Sequence, residues 1–187
     1  MLKNAMQFSH QLLEEVVQPN DLIIDATMGN GHDTLFMSQL ISKKGHLYSF
    51  DVQSSAIKNT QKILIASKVD ENKISLIKDS HENINNHVTN PIKAALFNLG
   101  YLPGSDKSII THPSSTLRAI KECMDLSIKH TRIIIVSYYG HPGGKKELEA
   151  VEKFIKHIDQ HKFNCLKYEF INQQNEPPIL FCIEKRK

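Results

Sequence analysis

The chain lacks any apolar run approaching the ~20 residues a membrane-spanning helix needs, so no membrane partner is expected. Residues 1–20 carry Glu14 and Glu15 and lack the apolar core of a secretory signal, which predicts a cytoplasmic setting. Cysteine is scarce. Cys123, Cys165 and Cys182 are widely spaced with no CxxC, so reduced core thiols are expected, although Cys165 and Cys182 could face each other across two late strands. Repeats, low-complexity tracts and linkers are missing, so residues 1–187 read as one domain. Charge of one sign is missing too: the net +3 permits an anionic partner without demanding one. His112 and His141 have no histidine at HxH or HxxxH spacing, so no metal is expected there.

What is present is a strand–helix alternation. Leu12, Leu13, Val16 and Val17 share a helical face before Pro19. Residues 22–26 read as a buried strand, 32–42 as a helix and 46–51 as a second strand. Ser54 can N-cap a helix running to about 67, and 73–78 alternates as a third strand. Residues 92–98 form a fourth strand, followed by a long loop to 112. Pro113 suits the first turn of a helix whose stripe is Leu117, Ile120, Met124 and Ile128. Residues 132–138 form a fifth strand, and a helix with Leu148, Val151, Ile155 and Ile158 follows. Residues 163–171 and 179–184 are joined by a loop too short for a crossover helix, so they predict an antiparallel hairpin. Five βα repeats and a hairpin predict an α/β fold with a seven-stranded, mostly parallel sheet and a C-terminal antiparallel hairpin, an architecture that Rossmann-like class I methyltransferases share. Ligands then bind beyond the carboxyl ends of the strands.

One such end carries Asp25-Ala-Thr-Met-Gly-Asn-Gly-His-Asp-Thr34. Gly29 and Gly31 allow a tight turn and close backbone approach, and the helix start offers unpaired N–H groups. The dinucleotide fingerprint G-x-G-x-x-G loses its third glycine to Thr34, and Asp33 sits where a pyrophosphate would arrive. That disfavours NAD and favours S-adenosylmethionine (SAM), whose carboxylate suits the N–H groups of the Met28–Thr34 turn (Asn30 and His32 within it). Asp25 or Asp33 could then meet the cationic groups. Asp51 ends the second strand, where a carboxylate accepts both ribose hydroxyls, with Gln53 beside it. Asp79, Ser80 and His81 follow the third strand, within reach of an adenine.

On the same edge, the fourth strand ends in Phe97-Asn-Leu-Gly-Tyr-Leu-Pro-Gly-Ser-Asp-Lys107. Asn98 can accept a hydrogen bond from an attacking N–H, Tyr101 can stack on a base, and Asp106 can accept a proton. Tyr138-Tyr-Gly-His-Pro-Gly-Gly144 follows the fifth strand. Tyr138, Tyr139 and His141 could bind a flat ring there, and Lys107 could meet phosphate. The alternative for Asn98 is that it caps a turn at Pro103-Gly104, and Asp106 could equally be a structural residue there.

These three motifs together resemble a family of small bacterial methyltransferases long labelled putative rRNA methylases. The resemblance spans essentially the whole chain, and Thr27 in place of the general pattern's first glycine is shared with that family. It implies SAM-dependent methylation of 5-aminomethyl-2-thiouridine to 5-methylaminomethyl-2-thiouridine at the tRNA wobble position. The anticodon stem-loop is then the RNA partner. Other readings are an rRNA or small-amine N-methyltransferase, or a SAM- or nucleotide-binding RNA-interaction module without catalysis. A homodimer through the hairpin or first helix is a further expectation.

Overall fold

The computed structural model describes residues 1–100 and 111–187. Its strands are β1 (Leu22–Asp25), β2 (His46–Phe50), β3 (Ile74–Ile77), β4 (Ile92–Leu99), β5 (Ser127–Ser137), β6 (Phe163–Tyr168) and β7 (Ile179–Lys185). The helices are α1 (Ala5–Glu14), α2 (His32–Leu40), α3 (Ser54–Ala66), α4 (Pro113–Asp125) and α5 (Gly144–Lys156). The strands form one sheet in the order β3-β2-β1-β4-β5-β7-β6. β7 runs antiparallel to both β5 and β6, and the other pairings are parallel. The order reverses between β1 and β4, which opens a crevice at their carboxyl ends.

Both sheet faces are covered, which is why the strands read as continuous apolar runs. Ile24, Phe97, Ile133, Ile135 and Phe181 point to the side carrying Ile120 of α4 and Val151 of α5. Their neighbours Ile23, Leu96, Ile134, Val136 and Leu180 point to the side carrying Leu13 of α1 and Met37 of α2. Each fully buried aliphatic side chain here contributes roughly 1.5–3 kcal/mol. α1 opens with a capping box: Gln7 N donates to Asn4 Oδ1 (2.8 Å), and Asn4 N donates to Gln7 Oε1 (3.1 Å). Pro113 occupies the first turn of α4, as its fixed φ favours.

Four expectations change. Gln53, not Ser54, is the N-cap of α3. Ile128 leaves the α4 stripe for β5, because Thr131 Oγ1 accepts from Ile128 N (2.9 Å) and donates to Ile92 O (2.7 Å), holding an irregularity in the β4–β5 pairing. The β3–β4 connection holds a 3-10 segment, His81–Asn86, rather than an α-helix. Its polar side chains bond the local backbone instead: Ser80 N donates to Asp79 Oδ1 (2.7 Å) and Glu82 N to Ser80 Oγ (3.3 Å). In the hairpin, Cys165 pairs with Ile183 and Cys182 with Leu166, so the two thiols lie on opposite faces. Cys123 and Cys182 are buried and free, whereas Cys165 is exposed and free rather than a core thiol. Among the described residues, no helix is long and apolar enough to cross a membrane.

Candidate active site

Asp25 ends β1 fully buried. Thr34 Oγ1 donates to its Oδ2 (2.6 Å) and Thr27 N to its Oδ1 (3.2 Å), tying the turn to the start of α2. Burial pushes its carboxyl up to about 7, with the Asp33 charge adding to the effect and the Thr34 and Thr27 bonds opposing it. Asp25 therefore braces the turn from below, correcting the expectation that it meets a ligand's cationic group. Thr34 is likewise buried, and the Met28 side chain packs against Ala56, Ile57 and Leu76, so both form the floor. Gly29 (φ 53°) and Gly31 (φ 86°) bend the chain over that floor. A Cβ on Gly31 would lie 2.7 Å from Thr60 Cα, so the turn and α3 touch backbone to backbone. Asn30 Oδ1 accepts from Asn59 Nδ2 (3.1 Å), and His32 is exposed at the first position of α2.

Asp51 follows β2, half-buried, and bridges to the turn. Its Oδ2 accepts from Gly29 N (3.0 Å) and its Oδ1 from Gln53 N (2.9 Å). Burial raises its pKa, and the backbone N–H groups of Gln53, Gly29 and Val52 counter that. Its oxygens keep lone pairs for two sugar hydroxyls. Asp79 follows β3 on the same edge, partly exposed. His87 holds its carboxyl below the usual range at 2.9 Å, and Asn83 Nδ2 donates to it at 2.9 Å, so Asp79 ties its own loop together while staying partly exposed. Ser80 caps the 3-10 segment. His81 is buried edge-on to Phe97, with ring centroids 5.9 Å apart. Burial lowers its pKa, and it bonds the Ala26 backbone. Its Nε2 is buried without a partner among the described residues, so the neutral ring offers an acceptor to an amino group.

Asn98, near the end of β4, lies across the crevice from the turn. Its backbone N donates to Thr27 Oγ1 (2.7 Å), and its Nδ2 donates to Asp33 Oδ2 (2.7 Å). Its Oδ1 is buried with no partner among the described residues. Leaving such an acceptor unmet costs about 1–3 kcal/mol, and chemically the atom can accept an N–H. Asp33 is thus committed to Asn98, and on its other oxygen to His10 Nε2 (2.7 Å), rather than open to a ligand cation. Tyr138 is 40% exposed, and its phenol is pushed up by partial burial and then by the Asp33 charge. It follows β5 on the same edge as the glycine turn, its ring partly exposed. Tyr139 instead packs on the core, correcting its expected role as a stacking face. His141 lies against the glycines: a Cβ on Gly144 would meet its Nε2 at 2.9 Å. Tyr101, Asp106 and Lys107 lie outside the described residues.

Sequence reasoning missed His10, Thr27 as a bonding partner, and the buried Glu147. Glu147 accepts from Thr111 Oγ1 and Thr116 Oγ1 (2.6 Å each), while Thr111 Oγ1 accepts from Gly100 N (3.1 Å). That network ties Gly100, just after β4, to Thr111, just before α4. The only local signal was a carboxylate on an otherwise apolar helix face. One HxxxH pair does exist, His157 and His161, but α5 ends at Lys156 and His157 Nδ1 bonds Lys153 O (2.7 Å). Among the described residues, no group of three His, Cys, Asp or Glu could hold a metal. A groove of about 720 Å³ beside α4 and α5, lined by Lys121, Phe154, Lys162 and Lys185, lies at the opposite end of the sheet and contains none of these residues.

A seven-stranded sheet with one antiparallel strand, a glycine turn after β1 and an acid after β2 defines a class I SAM-dependent methyltransferase. A family model described as "Putative rRNA methylase" matches residues 47–184, and the chain belongs to that family. A solved rRNA methylase of the same description from Clostridium thermocellum is 43% identical, with a TM-score of 0.96 and 99% of both chains covered. A methyltransferase from Streptococcus mutans, solved in complex with SAH, is 44% identical with a TM-score of 0.91, again over 99% of both chains. The chloroplastic tRNA (mnm5s2U34)-methyltransferase of Arabidopsis thaliana is 35% identical over 193 residues, covering 98% of this chain and 70% of the relative. The residues present fit SAM: Asp51 for the sugar, the unpartnered His81 Nε2 for an amino group, and the Gly29–Gly31 turn for close backbone approach.

Proposed function

We propose that this enzyme methylates the primary amine of 5-aminomethyl-2-thiouridine at the wobble position of tRNA, giving 5-methylaminomethyl-2-thiouridine. The observation that carries the reading is Asn98 Oδ1, a buried acceptor without a partner among the described residues, on a residue whose backbone N–H is bonded to Thr27 in the turn after β1. The Arabidopsis relative, named for mnm5s2U34 in tRNA, supports the choice of nucleoside.

An alkylamine titrates near ~10, judged by lysine, so the nucleophile arrives mostly protonated and without a lone pair. Half-buried surroundings favour its neutral form. Asn98 Oδ1 then accepts one amine N–H, which orients the nitrogen lone pair. When bound, SAM supplies a methyl carbon activated by a positively charged sulfur. The chain's own contribution is alignment. Tyr138 offers a face on which an unstacked base can rest, as single-stranded RNA recognition requires. With a net charge of +3, tRNA affinity is modest and falls with salt.

The test offers purified enzyme and labelled SAM to tRNA carrying the aminomethyl nucleoside and, separately, to ribosomal RNA. Label in the tRNA is expected, and cells lacking the gene should accumulate 5-aminomethyl-2-thiouridine in digested tRNA. Label only in ribosomal RNA would overturn the proposal in favour of the activity the family's description implies. SAM binding with no transfer to either RNA would leave a binding module.

A further inference from the structure

We infer that His10 and Asp33 are positioning residues that fix the amide of Asn98 one way round, with Oδ1 toward the substrate amine. This rests on the reading of Asn98 as the amine's acceptor.

An asparagine amide is nearly symmetric in shape but not in chemistry. Turned over, it would present an N–H₂ group to the amine and bind the lone pair that must remain available for attack. Nothing on Asn98 itself selects between the two orientations. Asp33 does. A carboxylate only accepts hydrogen bonds, so the atom of Asn98 that lies 2.7 Å from Asp33 Oδ2 is Nδ2, and Oδ1 is forced to the other side. The Asn98 main chain is held separately by Thr27 at 2.7 Å, which leaves the amide rotation as the remaining freedom.

Asp33 would be a poor guide if its own carboxylate could rotate. It sits in the first turn of α2, where free backbone N–H groups compete for its oxygens. His10 removes that freedom. Its Nε2 donates to Asp33 Oδ1 at 2.7 Å, so each carboxylate oxygen has its own donor. The imidazole is in turn stacked on Phe36, with centroids 3.8 Å apart and planes within 6°. The relay therefore runs from α1 through α2 to the end of β4, and it gives α1 a part in the site as well as in the core.

Two substitutions separate the hydrogen bond from the packing. His10→Phe keeps a ring against Phe36 and removes the donor; His10→Gln loses the ring and keeps an N–H. On tRNA carrying the aminomethyl nucleoside, His10→Phe should lower kcat about tenfold or more, while His10→Gln stays within about threefold of wild type. SAM affinity by calorimetry should stay within about twofold in both. A second readout needs no turnover. With SAH present, wild type should bind an aminomethylated anticodon stem-loop more tightly than one with plain uridine, and His10→Phe and Asp33→Asn should lose that preference. Wild-type kinetics in His10→Phe, equal losses in both His10 variants, or a loss of SAM binding would overturn the inference, because the first denies the relay and the others show packing or donor-site roles. A wild-type enzyme that leaves this tRNA unmethylated refutes instead the reading on which the inference rests.

Discussion

Thr27 Oγ1 accepts the backbone N–H of Asn98 at 2.7 Å, joining positions 71 residues apart. The bond ties the turn after β1, where the methyl donor belongs, to the strand that carries the candidate acceptor. It also gives a physical role to a threonine where the general methyltransferase pattern has glycine: glycine has no side-chain oxygen to accept that N–H. Thr27→Val keeps the shape and removes the acceptor. It should destabilise the fold by about 1–3 kcal/mol, read as a lower denaturant midpoint with an unchanged m-value.

Asn98→Ala removes the acceptor offered to the amine but no group that faces the donor's sugar. Turnover on tRNA should fall at least about tenfold. SAM affinity by calorimetry should be nearly unchanged. Normal turnover in this variant would remove Asn98 from the chemistry.

Asp51 is held in place by the N–H groups of Gly29 and Gln53. Asp51→Ala deletes the acceptor proposed for the sugar and removes the bond to the turn together. SAM binding should weaken by roughly 3 kcal/mol, about a hundredfold. Unchanged affinity would mean that the ribose is held elsewhere.

Gly31→Ala meets two obstacles, a φ of 86° and a Cβ 2.7 Å from the Thr60 backbone. Left-handed strain alone costs about 1–2 kcal/mol, and the clash adds to it. Thermal melts should show a clear loss, and Thr60→Ala should not restore it, because the obstructing Cα remains.

Asp25 predicts a pH dependence. Its folded pKa of about 7 lies above the ordinary value of 3.8. Between those values the folded chain holds a proton that the unfolded chain has released, so stability falls as pH rises and the loss is complete above the folded pKa. A shift of this size corresponds to a total on the order of 4 kcal/mol. Asp25→Asn removes the ionisation, so the difference in stability between variant and wild type should move in the variant's favour from pH 4 to pH 8. Denaturant titrations across that range measure it, and a flat difference would show that Asp25 is not titrating there.

Much of the architecture was legible in the chain because it rests on local patterns. Apolar runs such as Ile133–Val136 mark strands buried on two faces, Gly29 and Gly31 mark a turn, and acids at strand ends such as Asp51 mark the ligand edge. Helix boundaries were less secure: Ile128 continues the spacing of α4 yet belongs to β5, because a hydroxyl at Thr131 redirects the backbone.

By itself, the sequence determined the alternation of strands and helices, the parallel sheet with its closing hairpin, and which loops gather at one edge, since these follow from hydrophobic period and turn chemistry among near neighbours. Only the tertiary structure decided that Asp25 is sealed beneath the turn, that Tyr139 packs inward while Tyr138 faces out, and that His10, Asp33 and Asn98 form one hydrogen-bonded line. Those outcomes depend on which polar atoms meet when distant segments pack, and a hydrogen bond between residues 65 apart leaves no periodicity along the chain.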